Sequence, residues 1–156
     1  MKITIATSIK YGNYKHLQQC TNDTIRLIHK FWKPINDLLT LRSDIEFIVR
    51  PIKGSTNGRT FGIKGVVEID PRNIERIDRG PKRVLETICH ELVHIEQYAT
   101  GRLKKESGAT FWKDKCVRHS KTQSYKEYLN LPWEIEAREV AAMMVELLMP
   151  TEKKEL

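Results

Sequence analysis

Along the chain, apolar positions change period several times. Ile3 and Ile5 alternate with Lys2 and Thr4, predicting a short strand that Gly12 interrupts. From about Tyr14 to Trp32, Leu17, Cys20, Leu27, Ile28 and Phe31 recur at helical spacing. Pro34 stops or kinks that helix, with another turn or two expected before Leu41. Ile45, Phe47 and Val49 alternate with Glu46 and Arg50 in a second strand that ends at Pro51. Strand, helix and strand in that order predict a right-handed parallel crossover. Gly54, Ser55, Asn57 and Gly58 form a turn cluster, and TFGIKGVVEID after it reads as a hairpin or bent edge strand closed by Asp70-Pro71. Pro81 opens a helix to about Thr100, with Gly101 as its C-cap. Residues 103 to 131 are polar, basic and weakly patterned, apart from a short apolar-aromatic piece at Phe111 and Trp112. Pro132 then opens a last helix to Leu148, which Pro150 stops.

These elements predict one α+β domain over residues 1–150 with a charged tail at 151–156, the size that 156 residues support. No stretch approaches the roughly 20 apolar residues of a membrane helix, and the apolar run in MKITIATSIK is too short for an export signal. Cys20, Cys89 and Cys116 are odd in number and widely spaced, which argues against a disulfide framework or a cysteine zinc ribbon and for a reducing, cytoplasmic setting. The net charge of +7 is concentrated: residues 102–126 hold Arg102, Lys104, Lys105, Lys113, Lys115, Arg118, Lys121 and Lys126 against Glu106 and Asp114. With Phe111, Trp112 and Tyr125 interleaved, this segment could dock nucleic acid by charge and stacking, or serve simply as a solvated basic loop.

The chemistry gathers at His90-Glu91-Leu92-Val93-His94, an H-E-x-x-H motif on the predicted helix. Residues four apart on a helix lie one turn up and about 40° around, so both imidazoles can hold one metal ion. Glu91, about 100° from His90, reaches a metal-held water without being a ligand. Zinc suits two nitrogens, one further protein ligand and an open position. At about 100° per residue, Val84, Leu85, Ile88, Leu92 and Ile95 fall opposite the histidine pair, so the helix can bury one face and present His90 and His94 to a cleft. Cys89 points to the apolar side.

A third ligand is required, and Glu134, Glu136 and His119 are the candidates. On the last helix, Ala137, Val140, Ala141, Met144, Val145, Leu147 and Leu148 share a sector with Glu134 at its edge, whereas Glu136 lies with Glu139 and Met143 on the polar side. A carboxylate on a buried face needs compensation, which zinc would supply. Ala137 and Ala141 lie above Glu134 and lack bulk, allowing close approach of the two helices. Glu134 is therefore the expected ligand.

HELVH together with PWEIEA resembles the zincin metallopeptidases, specifically the gluzincin type, in which a glutamate on a later helix completes the site. The resemblance implies a minimal zincin domain: a small mixed β-sheet packed on an N-terminal helix and the H-E-x-x-H helix, with a C-terminal helix supplying the third ligand. It also implies zinc-dependent hydrolysis of a protein or peptide with Glu91 as general base. Substrate would add as a strand along TFGIKGVVEID, and Tyr125, Tyr128 or His119 would stabilise the oxyanion. The metzincin pattern is absent, since Gln97 and Thr100 occupy the positions of its glycine and third histidine. SGATFW looks like the H-G-x-x-F segment of SprT-like proteases, and with the basic 102–126 segment it implies as an alternative a SprT-like protease acting on nucleic-acid-associated proteins, although Ser107 stands where their histidine does and excludes a histidine ligand at that position. A further alternative is a non-catalytic, metal-stabilised binding protein.

Overall fold

The computed structural model describes residues 2–7, 15–54, 56–75, 80–117 and 123–152. The alternation at the start of the chain becomes strand β1 (Ile3–Ala6), whose Ile3 and Ile5 pack on the main core. Helix α1 (Lys15–Leu39) follows and continues through Pro34 rather than ending there. Phe31 and Ile35, on either side of the proline, are both buried, and Pro34 itself is exposed. Burial of the flanking turns thus offsets the missing N–H bond, which by itself disfavours a helix by about 3 kcal/mol.

Strand β2 (Ile45–Val49) pairs parallel with β1, as the strand, helix and strand order predicted. Strand β3 (Gly58–Phe61), a 3₁₀ turn at Gly62–Lys64 and strand β4 (Val66–Ile69) form a hairpin, giving a mixed sheet of order β1-β2-β4-β3. β3 is therefore an edge strand, antiparallel to β4. It begins at Gly58, a residue the turn cluster had been expected to contain. A Cβ there would stand 2.6 Å from Thr87 Cγ2 and 3.0 Å from Glu91 Cγ, so glycine is what lets the strand lie against the next helix.

Phe47, Val49, Val67 and Ile69 cover one face of the sheet and are fully buried with α1 and helix α2 (Gly80–Ala99). Val84, Leu85, Ile88, Leu92 and Ile95 of α2 are all buried in this core. On the other face, Glu68 is covered by Arg50 and Arg59, the latter donating at 2.5 Å. Gly101, with φ of +75°, ends α2 as the sequence predicted. Helix α4 (Pro132–Leu148) packs along α2, and its Ala137 and Ala141 are completely buried between the two. Leu147, placed by periodicity on the buried sector, is instead exposed.

The weakly patterned segment forms an antiparallel meander of β5 (Leu103–Glu106), β6 (Ala109–Trp112) and β7 (Lys115–Val117). Its turns, Ser107–Gly108 and Lys113–Asp114, have positive φ at all four residues. This is the geometry of type I′ turns, here built partly from residues that seldom adopt it. A small second core of Leu103, Leu131 and Trp133, with Tyr98 and Trp112 beside it, seats the meander on α4. Helix α3 (Tyr125–Leu129) is fixed by a capping box: Glu127 N–H donates to Ser124 Oγ at 3.2 Å and Ser124 N–H to Glu127 Oε2 at 2.7 Å. No helix among the described residues is long and apolar enough to cross a membrane.

Candidate metal centre

α2 presents His90 and His94 on the side facing α4, and Pro132 at the first turn of α4 brings Glu134 opposite them. His90 Nε2 lies 3.2 Å from Glu134 Oε2, and His94 Nε2 lies 3.2 Å from Glu134 Oε1. The two Nε2 atoms are 3.1 Å apart. One donor atom from each residue falls within 4.8 Å of the others, so this group could hold a metal ion. Four ligands about 2.0–2.1 Å from an ion stand about 3.3 Å apart in tetrahedral geometry, close to the spacings here.

The hydrogen-bond network behind the centre fixes which nitrogen of His94 faces it. Gln97 is completely buried, and its Nε2 donates to Trp133 O at 3.0 Å and to Glu136 Oε2 at 2.8 Å. Both partners are acceptors, so the amide orientation is set and Gln97 Oε1 is the atom 2.8 Å from His94 Nδ1. Nδ1–H therefore donates to Gln97, and in the neutral ring the lone pair of Nε2 points toward Glu134. Orienting a histidine through its second nitrogen is how metal-binding imidazoles are generally held.

Titration behaviour agrees with a site built for positive charge. Burial opposes ionisation of Glu134, but hydrogen bonds from His90 and His94 outweigh it and hold the carboxyl far below its ordinary range. Burial likewise disfavours the His94 cation, yet the Glu134 carboxylate beside it, helped by Glu91 and Gln97, raises its pKa. Tyr128 donates its hydroxyl to Glu134, and burial together with that carboxylate raises the phenol well above its usual value.

Glu91 is buried but is not one of the converging donors. Its Oε2 accepts from Thr60 Oγ1 at 2.5 Å, so the edge strand β3 holds it in place. Burial raises its pKa, with the Thr60 bond and the two imidazoles acting in the opposite direction. Two cavities open on the centre, one of about 360 Å³ reached by Glu91, His94 and Glu134 and one of about 760 Å³ past Gly58 and His90, and another of about 430 Å³ past Tyr98 is lined by none of the centre's residues.

Of the other sequence candidates, Glu136 is turned away from the histidines: it accepts from Gln97 and forms an ion pair with Arg102, which also pairs with Glu96. Tyr125 is largely exposed and stacks on Tyr128, with ring centroids 6.5 Å apart. His119 lies outside the described residues. Ser107 sits in a hairpin turn, and Cys89 is buried in the main core as expected. The basic segment is partly neutralised, because Arg102 is engaged and Lys104 pairs with Asp114 at 3.2 Å. Lys105, Lys113, Lys115 and Lys126 remain exposed, while Arg118 and Lys121 lie outside the described residues. Sequence reasoning missed Gln97, although it follows His94 by three positions on the same helix face, and Thr60, for which no local signal exists. No protein-family model, curated protein or solved structure matches the chain.

Proposed function

We propose that the chain is a zinc-dependent peptidase of the gluzincin type, with His90, His94 and Glu134 as zinc ligands and Glu91 as general base. The observation that carries this reading is the division of roles: three donors converge with spacing suited to one ion, while Glu91 is held just outside the set by Thr60. A purely structural metal site needs no such fourth, separately anchored carboxylate. Bound there, zinc supplies Lewis acidity that brings the pKa of water toward neutrality and polarises a carbonyl. Glu91 accepts a proton on its carboxylate and delivers it to the leaving amine, roles that its raised pKa favours. Gln97 keeps His94 in the required tautomer, and Tyr128 steadies Glu134 by donating its hydroxyl to the carboxylate. The free edge of β3 offers backbone groups to an extended substrate.

Metal analysis of the purified protein, paired with casein or mixed-peptide hydrolysis, tests the reading. Glu91→Gln is expected to retain about one zinc per chain and to lose hydrolysis by at least about 100-fold. Hydrolysis undiminished in that variant, or a wild-type protein that takes up no divalent ion, overturns it.

A further inference from the structure

We propose that Arg138 anchors a substrate carboxylate on the C-terminal side of the scissile bond, a specificity that rests on the peptidase reading for its direction. Arg138 lies one turn beyond Glu134 on α4 and lines the cavity of about 760 Å³ together with His90, Glu91 and Tyr128. Its Nη2 donates to Leu129 O at 2.6 Å, which fixes the plane of the guanidinium. Its Nη1 is buried with no hydrogen-bond partner among the described residues, nor is any carboxylate there within ion-pair distance of it. A guanidinium stays charged at any physiological pH, and a buried N–H left unpaired is costly. An occupant with two oxygens in one plane satisfies both conditions by bidentate pairing. Arg83 of α2 lines the same cavity, as do Glu86, Glu91 and Glu134, so the attraction for a carboxylate is local to Arg138 rather than a property of the whole cavity.

The position of this cavity gives the carboxylate its place in the substrate. It adjoins Asn57 and Gly58, where β3 begins, whereas the cavity of about 430 Å³ adjoins Gly62 and Ile63, just past the strand's end. An extended chain pairing antiparallel with β3, the more stable arrangement, runs in the opposite sense to it. Its C-terminal portion then lies on the side of Arg138. The carboxylate is either the free C-terminus of a short peptide or an Asp or Glu side chain, and the two are separable by experiment.

The test measures binding without turnover, using the full chain carrying Glu91→Gln with added zinc. Three N-terminally labelled pools of random hexapeptides serve as probes: one with a free C-terminal carboxylate, one with a carboxamide, and one with a carboxamide and glutamate fixed at the fifth position. Fluorescence anisotropy is expected to show one of the two carboxylate pools binding at least about tenfold more tightly than the plain carboxamide pool, the size of one charge-assisted bidentate contact. Preference for the first pool identifies the terminus, and for the third the side chain. Adding Arg138→Gln is expected to bring the pools to equal affinity, and Arg138→Lys to restore part of the difference. Equal binding of all three pools to protein with Arg138 intact overturns the proposal even if Arg138→Gln fails to fold, as does a preference that survives Arg138→Gln. A failure of the peptidase reading registers separately, as absence of hydrolysis, and leaves the ratio between pools measurable.

Discussion

Replacing Gln97 by methionine tests how far the network behind the centre controls it. Methionine is close in volume and unbranched, so the variant removes polar atoms while largely preserving packing. Three hydrogen bonds are lost: from His94 Nδ1, to Trp133 O and to Glu136 Oε2. Neutral bonds contribute about 1 kcal/mol each and one to a carboxylate about 1.5–3 kcal/mol. His94 Nδ1–H and Trp133 O lose this partner inside the core, whereas Glu136 keeps Arg102. Neighbouring losses are not additive, so the expected destabilisation of the metal-free protein is about 3–5 kcal/mol, a large share of the roughly 5–15 kcal/mol that holds a domain together. Freed of its restraint, His94 can adopt the other tautomer and rotate, lowering metal affinity about 10–100-fold. Urea unfolding of the metal-free variant gives the first quantity. Competition for zinc with a coloured chelator, corrected for the measured folded fraction, gives the second. Affinity within about twofold of wild type would refute the orienting role assigned to Gln97.

Three other outcomes follow from the same geometry. Ala137→Leu should force α2 and α4 apart, costing about 1–3 kcal/mol and weakening zinc binding in the chelator assay; full affinity would mean that the close approach is not needed. Gly58→Ala should lower the melting temperature through its contacts with Thr87 and Glu91, and Thr87→Ser in the same chain should recover part of the loss. Asp70 is pulled below its ordinary pKa: burial opposes this, but the hydrogen bonds from Arg72 and the Ile52 and Arg72 amides prevail. Its stabilising contribution is therefore present above the unfolded value near 3.8 and is lost as pH falls through the lower folded one. Asp70→Asn should accordingly flatten the acid side of a stability–pH profile measured by urea unfolding, and an unchanged profile would remove Asp70 from the account.

What the sequence disclosed, and what it hid, divides along the range of the interactions involved. His90 and His94 were legible because four positions on a helix is a fixed distance, and Glu134 because a carboxylate within an apolar stripe needs an explanation. Gln97 acts on α4 residues 36 and 39 positions away, and Thr60 on a residue 31 positions away. Periodicity carries no information at that range. The meander escaped notice because its short strands pack on a core of three buried residues and its turns place Ser107, Lys113 and Asp114 in the left-handed region. The capping box at Ser124 and Glu127 was a local signal that could have located α3. At Pro34 the local rule was sound, but burial of Phe31 and Ile35 outweighed it.

The donors of the centre come from two helices whose connection is the whole meander and α3, with Glu134 forty positions after His94. An ion shared by them would act as a removable crosslink, closing that stretch into a loop and depriving the unfolded chain of conformations, as a disulfide does. Chelation would then loosen the clasp on a peripheral subassembly that contributes none of the three donors. For this chain, supplying the ion and securing its most weakly patterned segment would be a single event.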